Sequence, residues 1–124
     1  MAERQNFRIR DRLKSFRYAW DGIKAMYQTE HNLYIHTVLT VLAFLLAFLF
    51  KVPRVEIIAL VIVSGMVWVA EIFNTVIEKI MDFITTEKHP LIKKIKDMAA
   101  AAVLLTAIIA VIVGGLIFIP KIFY

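Results

Sequence analysis

Polarity along this chain changes in long blocks rather than residue by residue. Residues 33–50 contain a single potentially charged side chain, His36, and residues 57–70 contain none. Residues 98–119 run for 22 positions without a charge. A bilayer hydrocarbon core of about 30 Å takes roughly 20 helical residues to cross. The pattern therefore predicts three transmembrane helices, over about residues 33–50, 57–77 and 98–119, the second becoming polar in its last two turns.

Ahead of them, residues 7–30 contain no proline. Phe16, Trp20, Ile23 and Tyr27 recur there at spacings of four, three and four, within about 60° of one another on a helix. Lys14, Arg17, Asp21 and Lys24 fall on the other side. This predicts an amphipathic helix lying in a membrane interface; a surface helix packed on the protein's own polar end would carry the same stripe. Between spans, Pro53 in "FKVPRVE" and Pro90 in "TTEKHP" mark breaks, because proline lacks an amide hydrogen and biases the preceding residue away from helix. The expected fold is all-α, one integral-membrane domain over residues 1–124.

Composition agrees with lipid as the main solvent: 60% of the 124 residues are apolar and mean hydropathy is positive. A cleavable leader is not expected, because residues 1–32 are charged throughout. Seven of the 15 Lys and Arg residues lie in residues 1–32 and five in residues 79–97, which by the positive-inside rule predicts a multi-pass protein with a cytoplasmic amino terminus. That distribution explains the +5 net charge as topology and attraction to anionic headgroups, so no nucleic-acid partner is expected. Cysteine is absent, which excludes disulfides and thiolate chemistry.

The informative polar residues interrupt the end of the second span. In "AEIFNTVIEKIMD", residues 70–82, Glu71, Asn74, Glu78 and Asp82 fall at about 0°, −60°, −20° and +20° around a helix, forming one stripe. Ionisable groups inside a membrane cost roughly 2.5 to 3.5 kcal/mol at its centre and mark function by default. Asp82, nearest the loop, also fits a solvated helix end paired with Lys79, Lys93, Lys94 or Lys96. Carboxylates and amides without thiols or well-spaced histidines suit a hard cation, and Mg²⁺ held by one or two carboxylates completes its shell with phosphate oxygens. His31 and His36 do not share a helical face, and His89 stands alone. No P-loop or dinucleotide fingerprint occurs among Gly22, Gly65, Gly114 and Gly115. The basic run "HPLIKKIKD" reads either as a nucleotide contact or as a membrane-anchoring loop.

"AEIFNTVIEKIMD" followed by "EKHPLIKKIKDMAAAAVLL" resembles the signature of the small prokaryotic integral-membrane diacylglycerol kinases and undecaprenol kinases, and the likeness extends back through "FRYAWDGIKAMYQTEHN". The resemblance implies a homotrimer of three-span protomers with an amphipathic surface helix, in the bacterial cell membrane. It implies a site at the cytoplasmic membrane surface, shared between subunits, where the γ-phosphoryl group of ATP passes to a lipid hydroxyl. By position, Glu71 matches the catalytic base, while Glu30 and Glu78 match the carboxylates holding Mg²⁺ on ATP. Asn74, Lys96, Asp97, Glu87, His89, Lys14 and Tyr18 match nucleotide-side contacts, and Trp20 with Gly22 matches the lipid's approach. The family's arginine near the start of the surface helix aligns with Arg10 or Arg12 only after a shift, and Tyr34 and His36 stand where some members have Arg and an acid. "EHNLYIH" resembles the undecaprenol branch. The rival from another class is a non-enzymatic transporter or channel subunit using the intramembrane acids; acids confined to the cytoplasmic end of one helix weigh against it.

Overall fold

The computed structural model describes residues 6–124; Arg4, one of the amino-terminal basic residues, lies outside the described residues. Four helices follow in order: α1 (Ile9–Thr29), α2 (Asn32–Leu49), α3 (Arg54–Ile84) and α4 (Pro90–Phe123), with no strand among the described residues. The last three are long and apolar enough to cross a membrane. At 1.5 Å per residue, the 31 residues of α3 and the 34 of α4 reach about 46 and 51 Å, well past a hydrocarbon core of about 30 Å. Both helices therefore run beyond the spans expected from their apolar runs, and the surplus on α3 and at the start of α4 carries the charges.

The chain divides into two compact units, Met1–Tyr34 and Ile35–Tyr124. In the first, α1 starts after an extended Arg8 with Asp11 in its opening turn, where a carboxylate suits the positive end of the helix dipole. It stops at Glu30, whose backbone turns extended while its N–H still bonds Met26 O at 2.8 Å. The Tyr27 and Tyr34 rings meet edge to face at 5.4 Å across that turn. Phe16, Trp20, Lys14 and Tyr18 are all exposed. Gly22 is helical, with open space where a side chain would stand.

In the second unit, α3 and α4 form the tightest helix pair and run antiparallel. At one end Lys121 Nζ donates to Glu56 Oε2 at 2.6 Å; at the other, Lys96 Nζ donates to Asp82 Oδ1 at 2.6 Å. Pro120 lies inside the last turn of α4, where its missing N–H frees one carbonyl only, and Lys121 Nζ also bonds Ile117 O at 3.0 Å. The helix consequently continues through "PKIF". A small cluster of Ala47, Val52, Leu60 and Ile117 closes this end, with the Phe50 and Phe118 rings 6.4 Å apart beside it. Most large apolar side chains along α2, α3 and α4 remain exposed, the surface expected of helices solvated by lipid or by other helices.

The α2–α3 turn has a defined stop. Val52 N–H bonds Ala47 O at 3.0 Å, a bond spanning six residues, and Lys51 between them sits at φ 51°. This is a Schellman ending with its hydrophobic contact between Ala47 and Val52, and with lysine where glycine is the usual occupant. Lys51→Gly relieves the left-handed strain, offset by added freedom of the unfolded chain, and should stabilise the protein by about 0.5–1 kcal/mol. A rise of thermal midpoint in detergent with unaltered activity is the expected reading; a fall would contradict it.

Candidate active site at the polar end of α3

From Glu71 through Asn74 and Glu78 to Asp82, exposure rises toward the loop. Glu71 is buried at 5% exposure, Asn74 and Glu78 are half-buried, and Asp82 is exposed. The acids thus leave the apolar interior over three turns, as the sequence pattern predicts for a stripe that opens at one end of a span. Asn74 Nδ2 donates to Glu78 Oε1 at 3.4 Å, one turn along the helix. Asn74 Oδ1 is buried with no hydrogen-bond partner, and so is the hydroxyl of Thr75.

Thr75 lies at about +40° from Glu71, within the same stripe, and is almost fully buried. Sequence reasoning passed over it because threonine is unremarkable in an apolar helix, although its spacing of four from Glu71 was available. A buried hydroxyl without a partner costs roughly 1–3 kcal/mol, so its retention among apolar neighbours sets it apart.

Glu71 faces across to α2, where His36 Nε2 stands 3.5 Å from its Oε2. The sequence shows no cation within seven residues of Glu71 on its own helix, and the partner comes instead from a residue 35 positions earlier. Beside this contact, Trp68 Nε1 donates to Thr40 Oγ1 at 3.0 Å, and Thr40 Oγ1 donates to His36 O at 2.7 Å. Two rungs, His36–Glu71 and Thr40–Trp68, join α2 to α3 within otherwise apolar spans.

Past the end of the stripe, the α3–α4 connection encloses a cleft of about 660 Å³. Glu87, His89, Lys96 and Asp97 all line it, so four of the sequence-predicted nucleotide-side residues come together here. Asp82, Lys88 and Lys93 complete its charged lining. His89 caps α4, its Nδ1 accepting from Leu91 N–H at 3.1 Å, and Pro90 takes the first helical position, where no N–H is needed. Lys96 pairs with Asp82 and Lys93 with Asp97, both at 2.6 Å. Asp82 is therefore bound to one of the lysines that the sequence offered it.

Lys14, Tyr18, Trp20 and Gly22 lie on α1 and Glu30 at its C-cap, all in the first unit, whereas Glu71, Asn74, Glu78 and the cleft belong to the second. Among the described residues no group of three or more His, Asp or Glu side chains converges as a metal cage. Glu78 and the unpartnered Asn74 Oδ1 nonetheless supply hard oxygen donors within one turn, which fits Mg²⁺ of the kind that takes most of its ligands from phosphate and water.

The family described as prokaryotic diacylglycerol kinase matches residues 17–118. A diacylglycerol kinase of Synechocystis is 40% identical over 109 residues, an alignment covering 87% of this chain and 62% of that protein. An undecaprenol kinase of Bacillus subtilis is 38% identical over 108 residues, covering 87% of this chain and 88% of the relative. A diacylglycerol kinase of Escherichia coli is 34% identical over 100 residues, with 81% and 82% covered.

Proposed function

Because the chain belongs to the prokaryotic diacylglycerol kinase family, we propose that it is a membrane lipid kinase that transfers the γ-phosphoryl group of ATP to the hydroxyl of diacylglycerol or undecaprenol. The observation that carries this reading is the gradient on α3: a buried carboxylate at the apolar end of a polar stripe, and a lysine-lined cleft where that stripe leaves the span. A lipid hydroxyl and a nucleotide phosphate come from opposite solvents, and such a stripe joins the two.

In this reading Glu71 takes the proton of the lipid hydroxyl as that oxygen bonds phosphorus and the bond from phosphorus to the β–γ bridging oxygen breaks, releasing ADP. Glu78 and Glu30 would hold Mg²⁺ with the ATP phosphates, and Asn74, hydrogen-bonded to Glu78, would belong to the same site. When bound, the cation would neutralise the charge that develops on the transferred group. Lys96, Asp97, Glu87 and His89, with Lys14 and Tyr18 of α1, contact the nucleotide, and the lipid passes Trp20 and Gly22. We further read α1 as an amphipathic helix on the cytoplasmic membrane surface, the amino terminus as cytoplasmic, the whole chain as one domain, and the protein as a homotrimer. The support is the exposed aromatic and basic side chains of α1, the Lys and Arg residues concentrated in residues 1–32 and 79–97, the exposed apolar faces of the spans and the family likeness.

Labelled ATP offered with diacylglycerol and with undecaprenol in separate mixed micelles tests the activity and names the lipid. Labelled phosphatidic acid alone identifies a diacylglycerol kinase; labelled undecaprenyl phosphate alone identifies an undecaprenol kinase. A purified, folded protein that labels neither would overturn the proposal.

A further inference from the structure

The contact between His36 and Glu71 has no part in the chemistry above, yet its surroundings are unusual. Glu71 is 5% exposed on a helix that carries no charge from residue 57 to residue 70. A carboxylate in such a place needs a donor, since burial without one costs several kcal/mol. Across from it on α2 stands His36, with Nε2 3.5 Å from Glu71 Oε2.

We infer that His36 is the positioning residue for Glu71, its Nε2–H holding the carboxylate at the angle from which it meets a lipid hydroxyl. An ionised carboxylate only accepts hydrogen bonds, so the contact requires the proton on Nε2. The backbone that carries the ring is held: Thr40 Oγ1, one turn later, donates to the His36 carbonyl at 2.7 Å and accepts from Trp68 Nε1 at 3.0 Å, which ties α2 to α3 beside Glu71. His36 and Thr40 border an apolar cavity of about 350 Å³ whose remaining lining, including Leu39, Ala43, Val67 and Gly114, carries no charge. The charged group that the ring meets is Glu71. At 3.5 Å the pair is longer than a closed hydrogen bond, and catalytic contacts commonly tighten when substrate binds.

The inference rests on the role proposed for Glu71, and two readouts separate its failure from the failure of that role. Gln places an amide nitrogen close to where histidine has Nε2, whereas Asn places one nearer Nδ1 and Leu removes the donor. In lipid kinase assays, His36→Gln should keep kcat within about threefold of wild type, while His36→Leu and His36→Asn lose about 10- to 100-fold in kcat with KM for ATP within about twofold, the range typical of residues that orient a reacting group. Thermal midpoints in detergent control for folding. Full activity in the folded Leu variant, or a loss in the folded Gln variant equal to that in Leu, overturns the inference. Independently of turnover, the ¹⁵N signals of His36 in bicelles should show a protonated Nε2 and shift on Glu71→Leu. If Glu71→Leu leaves them unchanged, the contact is absent and the inference falls. A wild-type protein that phosphorylates no lipid while keeping this coupling would instead overturn the kinase reading.

Discussion

Glu71→Gln should abolish phosphoryl transfer, lowering kcat by about 10²–10⁴-fold, the range contributed by a positioned general base. The substitution keeps shape and removes one property, the ability to accept a proton at the buried end of the stripe. Because the amide keeps the shape of this almost wholly buried side chain and still offers an oxygen toward His36, the variant should unfold close to the wild-type temperature. Loss of activity without loss of stability would place the effect on chemistry. KM for ATP and the dependence on Mg²⁺ should stay within about twofold of wild type, since in the proposed mechanism Glu71 touches neither. Retained turnover in Glu71→Gln would remove the base from this residue, and Thr75, buried one turn away with an unpartnered hydroxyl, would become the next group to test.

The split between what periodicity determines and what tertiary contact determines runs through individual residues. The 22 uncharged residues of α4 announce a span by length alone, and residues 57–77 do so because the uncharged run before Glu71 continues as a largely apolar helix. Angles of 100° per residue place Glu71, Asn74, Glu78 and Asp82 on one stripe, and the rising exposure along α3 follows from that placement. This helix end was legible too: residues 57–77 give the apolar part, and "TTEKHP" stops the helix only after Ile84, so the turns of residues 79–84 run on past the apolar part, solvated and paired with α4.

Pairing across helices was legible only as a choice. Asp82 had four lysines within reach of the argument, and helix packing selected Lys96. His36 illustrates the limit: it shares no helical face with His31, and only the rotation of α2 about its axis brings it to Glu71. A hydropathy pattern fixes that rotation poorly in a helix that is apolar all round. Lys14, Tyr18, Trp20 and Glu30 depend on the same kind of information, the phase of one helix against another, and it is the resemblance to relatives that assigns them to the site.

Glu78 offers the sharpest contrast with Glu71, since both are carboxylates on one stripe, seven residues and two turns apart. Glu78 is half-buried, within 3.4 Å of the Asn74 amide, and lies nearer the lysine-lined cleft. In the proposed site it holds Mg²⁺, so Glu78→Gln should raise the Mg²⁺ concentration needed for half-maximal rate at least about 10-fold and lower kcat about 10²-fold even at saturating cation. Asn74→Ala, which removes the neighbouring unpartnered oxygen, should shift the Mg²⁺ requirement in the same direction by a smaller factor. The two acids are then told apart by one titration. Glu71→Gln loses rate with its cation dependence intact, and Glu78→Gln loses rate with its cation dependence displaced. The reverse outcome would exchange their roles, and a Glu78→Gln variant with an unchanged Mg²⁺ curve would move the cation off α3 altogether.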